Sequence, residues 1–242
     1  MTDKGLGFIR NIRLSWLDAA AESRLRYTDI QSMREELDDF LKGEITGLES
    51  RRKTIDVLVG IWHKTESVEP QLFHQALEIF LHVLQEERIW LHYGLTLLYY
   101  PFFRRTAAVI GKFARTGELV TRLAVKNRLA AEIGHLGSLN RAAERIVASL
   151  VDWGAIEYQR RGNLYIPRLH IFETNKPELQ SWLLACALCA HPADQLLFPD
   201  LIRLPELFPF KITMTIDNLR ANETFDVQRQ GIWDMVGPYR TN

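Results

Sequence analysis

Cysteine is scarce in this sequence, two in 242 residues, which is too few for a disulfide framework and suits a reducing, cytoplasmic setting. Net charge is also missing: 30 Lys and Arg stand against 30 Asp and Glu, a balance that argues at first sight against a nucleic-acid partner. No apolar run reaches the roughly 20 residues a membrane span needs. The longest, Ile89 to Phe103, contains His92 and Pro101 and runs into Arg104 and Arg105, so it reads as a buried core helix with no membrane role. Met1 to Arg13 has no apolar h-region or small-residue cleavage site and does not read as a signal peptide. No internal repeat or low-complexity segment occurs.

Enzyme signatures are absent as well. Without G-x-S-x-G, Walker A or G-x-G-x-x-G, hydrolase, NTPase and dinucleotide-binding readings have no support, and no cofactor is implied. Cys186 and Cys189 form C-x-x-C with His191 nearby, but no second ligand pair stands at zinc-like spacing, and the Leu-rich surroundings fit buried thiols. The seven histidines are scattered, with His74 and His82 two helical turns apart and no i, i+4 pair.

What the chain does contain is helical periodicity and ordinary globular composition, 47% hydrophobic and 25% charged. Thr28 and Gln31 have the spacing of a capping box opening a helix over Ile30–Leu41, which Gly43 stops. Thr46 and Glu49 repeat the pattern before a helix carrying Ile55, Leu58, Val59 and Trp62 on one face. Further helices are expected over Gln71–Val83, Glu86–Tyr100 and Pro101–Ala114. Together they predict a helical bundle over residues 1–116. The acidic pairs Glu35-Glu36 and Asp38-Asp39, and the basic run Arg51-Arg52-Lys53, read as solvated faces.

From Gly117 the pattern changes. A short β-permissive stretch, Glu118–Arg122, precedes a helix over Ala124–Gly134, a tight turn and a strongly periodic helix over Leu139–Asp152. Two short strands follow, Ala155–Gln159 and Leu164–Pro167, joined by Arg160-Arg161-Gly162-Asn163, where Gly and Asn supply the positive φ of a hairpin. Strand, helix, turn, helix and hairpin make the order of a winged helix-turn-helix over residues 117–170. On its second helix Asn140, Arg141, Glu144 and Arg145 face outward, where Asn can pair with adenine and Arg with guanine. Ser138 stands where it would cap that helix or hold a phosphate. Arg160 and Arg161 would lie along a flanking backbone or minor groove. Arg104, Arg105, Lys126 and Arg128 are candidate phosphate contacts.

Charge supports that reading once it is divided by region. Residues 101–168 hold twelve Lys and Arg and five Asp and Glu, a net +7, so the remainder carries −7. A basic segment on a DNA-binding topology is what counterion release requires. Residues 171–242 predict an α+β extension: a helix over Glu178–Ala190, a Pro-punctuated run Phe198–Phe210, and a hairpin of Ile212–Ile216 with Thr224–Gln228.

Three stretches occur in a familiar order: Ser50-Arg-Arg-Lys-Thr-Ile-Asp-Val-Leu58, the aromatic pair Arg88–Gly94 and Tyr99–Phe103, and Ser138–Ile146 ending in Asp152-Trp-Gly-Ala-Ile156. Over about residues 14–168 this layout resembles the BrxA family, small accessory proteins of BREX phage-defence systems. The resemblance implies a cytoplasmic, non-enzymatic DNA-binding component of a bacterial defence operon and supplies no catalytic residue. The extension at 170–242 departs from the family. The expectation is therefore a mainly α, double-stranded-DNA-binding accessory protein, sequence-tolerant, working with other subunits of a phage-defence complex. The alternatives are a protein-interaction scaffold and a winged-helix transcription regulator with a palindromic site.

Overall fold

Residues 8–239, apart from Leu119, His135, Leu136 and Ser138, are described by the computed structural model. Among them the chain is mainly helical, 61% helix and 11% strand, with eleven α-helices and two small sheets in the C-terminal part. Six helices come first with short connections: α1 (Leu14–Arg26), α2 (Ile30–Lys42), α3 (Leu48–Trp62), α4 (Pro70–Phe80), α5 (Arg88–Tyr99) and α6 (Pro101–Thr116). Trp16, Leu17, Ala20 and Ala21 form the buried stripe of α1.

Both expected capping boxes are corrected. Asp29 caps α2 in place of Thr28, its carboxylate accepting the Ser32 N–H at 2.8 Å, while Gln31 turns to Glu35. α3 starts at Leu48 behind Gly47, which has no side chain to cap with, and the Glu49 carboxylate turns to Lys53 at 2.8 Å. An ionised acceptor, or a competing cation, outweighs the neutral hydroxyl–amide exchange. Arg51 is not a solvated residue either: it is 11% exposed and joins Asp38 at 2.9 Å to the carbonyl of Ile45.

α5 is the centre of the molecule, with every residue from Ile89 to Leu98 buried. A helix apolar all round needs cover on all sides, and α9 (Pro177–Ala190) supplies one of them, itself buried from Leu179 to Leu188. The contact depends on Gly94, where a Cβ would stand 2.3 Å from the Trp182 ring. The same ring donates its N–H to the Leu72 carbonyl at 2.9 Å. Packing thus runs across the expected boundary at 170/171, and residues 171–242 contribute to the same hydrophobic core as the bundle.

α7 (Arg122–Ile133) is capped by Thr121, whose hydroxyl accepts the Ala124 N–H at 3.0 Å, and α8 spans Leu139–Asp152. β1 (Ile156–Gln159) and β2 (Leu164–Pro167) pair antiparallel with Tyr158 opposite Tyr165, and Val120 bridges antiparallel to Tyr165 on the free side of β2. α8 is bolted to the start of the bundle. Its Ser149 hydroxyl accepts the Ile12 N–H at 2.8 Å and Asp152 accepts the Leu14 N–H at 2.9 Å, while Trp153 donates to the Ile12 carbonyl at 2.9 Å.

The expected tail hairpin is also corrected. β3 (Leu196–Leu197), α10 (Phe198–Leu201) and α11 (Ile216–Arg220) precede β4 (Phe225–Gln230) and β5 (Trp233–Pro238), in the sheet order β3–β5–β4. The segment 212–216 does not pair with β4, because Thr215 and Asn218 exchange capping hydrogen bonds and start α11. β4 instead pairs forward, Val227 opposite Val236.

Candidate nucleic-acid interface

The inner face of α8, Ala142, Ala143, Ile146, Val147 and Leu150, is buried against α6 and α7, which leaves Arg141, Glu144 and Arg145 exposed on the opposite side. Neither Arg141 nor Arg145 makes an ion pair among the described residues. At the β1–β2 turn Arg160 and Arg161 are likewise exposed and without a carboxylate partner among the described residues. Gly162 and Asn163 adopt φ of 90° and 53°, and the Tyr158 hydroxyl donates to the Asn163 side-chain carbonyl at 2.9 Å, which sets the shape of this turn. Ser138, the expected cap or phosphate ligand, lies outside the described residues.

Asn140 is half-buried rather than outward. It lines a groove of about 220 Å³ between α7 and α8, with Val125, Ala143 and Val147 along the floor and Arg122, Lys126 and Glu144 at the rim. Its Oδ1 is buried and has no hydrogen-bond partner among the described residues. Lys126 is exposed here without an ion pair among the described residues.

Arg122 belongs to the basic segment without standing out in it as a contact, and the structure gives it a central place. Its Nε donates to the Tyr165 hydroxyl at 2.6 Å, joining the start of α7 to β2, and this bond raises its pKa. Its position at the first turn of α7, three and seven residues before Val125 and Leu129 and so on their side of the helix, is the signal that distinguishes it in the sequence.

The expected phosphate contacts divide. Arg104 is a correction: its guanidinium, 14% exposed, lies 3.1 Å from the Glu206 carboxylate, which is 2% exposed, so it is committed to the interior. A buried carboxylate of this kind has to be paired. Arg105 is half-buried and makes no ion pair among the described residues. Arg128 is exposed and lies 3.9 Å from Glu132, which Lys112 holds at 3.0 Å.

One buried polar cluster has the look of catalytic machinery and is explained by packing. His92 is fully buried; it accepts the Trp62 indole N–H on Nδ1 at 3.0 Å and donates from Nε2 to Asp18 at 3.0 Å. Burial lowers the His92 pKa and the Asp18 carboxylate opposes this only in part. Burial would raise Asp18, but His92 and Arg88 outweigh it and leave its pKa lowered. Both imidazole nitrogens are used within the core, so neither faces a substrate. Cys186 is buried in α9, with burial raising its thiol pKa, and Cys189 is half-buried one turn on. Among the described residues no group of three His, Cys, Asp or Glu side chains is placed to hold a metal ion, and no helix is long and apolar enough to cross a membrane.

No protein family, curated protein or solved structure matches the chain.

Proposed function

We propose that residues 120–167 act as a winged helix-turn-helix that binds double-stranded DNA, and that the chain is a non-enzymatic, cytoplasmic, BrxA-like accessory protein of a bacterial phage-defence complex. One observation carries the DNA-binding part. The bridge from Val120 to Tyr165 adds a third strand position to the β1–β2 hairpin beside α7 and α8, and cations without ion-pair partners among the described residues stand on the exposed side of α8 and at the hairpin turn. In that arrangement α8 enters the major groove with Arg141 and Arg145 toward it, the β1–β2 turn brings Arg160 and Arg161 to the flanking backbone, and Lys126 takes a phosphate. The defence-system part rests on the resemblance in residue order over about 14–168.

Mobility shifts with duplex, single strand and RNA at two salt concentrations test this. Duplex binding should weaken steeply with salt, and Arg141→Glu with Arg145→Glu should abolish it in a protein that still folds. Duplex binding by the double variant equal to the parent's sinks the assignment of α8.

A second reading, a protein-interaction scaffold, is favoured by one feature. Ile232 and Trp233, at the β4–β5 turn, are 79% and 52% exposed, an apolar tip that a partner subunit would cover. A complex with a neighbouring subunit that survives high salt, beside no duplex binding at low salt, would support it.

A further inference from the structure

Resting on the DNA-binding reading, the geometry points to a sequence preference: we propose that Asn140 and the groove beside it read A·T pairs in the major groove. Three features meet there. The Asn140 Oδ1 is buried yet lacks a donor among the described residues, while its residue lies half-open at the second position of α8. A buried acceptor left unpaired is unfavourable, so turning the amide into the groove, where a ligand's N–H can meet that oxygen, is favoured. Adenine presents an N6 amine donor beside an N7 acceptor, which an asparagine amide meets with its carbonyl and its NH₂ at once.

The second feature is apolar. Val125, Ala143 and Val147 floor the groove, and Leu123 at its edge is 63% exposed although cations flank it on α7. Thymine, the partner of adenine, carries a 5-methyl group into the major groove, and no other base does. Placing that methyl against Leu123 covers surface that none of the described residues covers.

The third is charge. Arg122 and Lys126 rim the same groove, and Lys126 is without an ion pair among the described residues, so the phosphates beside the base pair have cations to meet. Glu144 also lines the groove, and a carboxylate there accepts from the cytosine amine. It adds a minor coulombic share to the raised pKa of Arg122, behind the Tyr165 hydroxyl, and makes no ion pair with it among the described residues. A preference for G·C would be the sign that Glu144 does the reading in place of Asn140.

Fluorescence anisotropy at one fixed salt concentration, with duplexes differing only in a central block, separates these outcomes. A·T should bind more tightly than G·C by about fivefold or more, the range of one bidentate base contact. A·U, which lacks the methyl, should bind roughly fourfold more weakly than A·T. Inosine·C matches G·C in the major groove and A·T in the minor groove, so it should bind as weakly as G·C. Asn140→Ala, checked for helicity, should level A·T and G·C while leaving the salt dependence intact. Equal affinity for A·T and G·C in the parent protein, a G·C preference, or inosine·C matching A·T overturns the proposal while leaving DNA binding in place. Absence of binding to every duplex removes the DNA-binding reading itself, and this proposal with it.

Discussion

Replacing Arg104 by alanine separates a structural arginine from a DNA-contacting one. Arg104 and Glu206 are 102 residues apart in sequence and 3.1 Å apart in space, and the Glu206 carboxylate is 2% exposed. The Tyr93 hydroxyl also donates to the Glu206 backbone carbonyl at 2.7 Å, so the segment carrying Glu206 is held to α5 and α6 together. Removing the guanidinium leaves a buried carboxylate without a partner, and breaking such a pair costs about 3–5 kcal/mol. Against a total stability of about 5–15 kcal/mol this is a large fraction. With a urea dependence of about 2–3 kcal/mol per molar, the midpoint should fall by about 1–2 M. Arg104→Met with Glu206→Gln should recover most of the loss, because neither replacement buries a charge. Salt titration of duplex binding completes the comparison. Arg104→Ala should leave the slope of log affinity against log salt unchanged, whereas Arg145→Ala should reduce it by about 0.9 and change stability by less than about 0.5 kcal/mol. The assignment is refuted if Arg104→Ala unfolds at the parent's urea concentration and reduces the slope by about one.

Two further perturbations follow from the packing. Gly111→Ala should lower the thermal midpoint by several degrees, because a Cβ there would stand 1.9 Å from the Pro205 carbonyl oxygen and push the 205–207 turn off α6; calorimetry reads this directly, and an unchanged midpoint would show that the turn yields freely. His92 makes stability depend on pH. Its folded pKa lies below the unfolded value near 6.5, so below that pH the unfolded chain binds a proton that the folded one refuses, and stability falls as pH drops from about 6.5 toward the folded value. His92→Gln should reduce the slope there, the remainder coming from His63 and His191, whose pKa values burial also lowers, and an identical pH dependence in parent and variant would count against the buried neutral imidazole.

The elements whose periodicity carries a face are readable from sequence. α8 has the expected bounds because seven apolar residues recur at helical spacing, and the turn at Gly162–Asn163 has its positive φ because those residue types adopt it at low cost. α5 reads as buried for a different reason, because it is apolar all round. α9 is as apolar as α5, and that is why its partner is hidden: a helix apolar all round has no stripe to say which neighbour it meets. The tail misleads through its alternation. Ile212-Thr-Met-Thr-Ile216 has the period of a strand, yet Thr215 and Asn218 form a local cap and Ile216 starts a helix. β5 ends in Gly237 and Pro238, residues that discount a strand and so mask it. At the candidate interface the outward arginines of α8 are legible from spacing alone. The burial of Asn140 is not, because it depends on how α7 crosses α8, and the partner of Arg104 is not, because no local pattern links residues 104 and 206.

The zero net charge conceals a separation between paired and unpaired groups. In the bundle, cations and carboxylates meet one another: Arg13 with Glu44, Arg24 with Glu66, Arg26 with Glu36, Arg34 with Asp56 and Arg51 with Asp38. The exposed ones, Arg13–Glu44, Arg26–Glu36 and Arg34–Asp56, contribute little stability, about 0–1 kcal/mol each, and all five cancel one another's field a short distance from the surface. The cations on the outer side of α8 and at the β1–β2 turn have no such partners among the described residues, so their field extends into solvent over about a Debye length, roughly 10 Å. α8 is meanwhile fixed at its other end, where Ser149, Asp152 and the adjacent Trp153 hold residues 12–14 of the bundle. The helix that carries the unpaired charge is therefore already ordered before any partner arrives. On the proposed function, a polyanion docking there would lose little conformational entropy, so its affinity would be governed by the release of counterions.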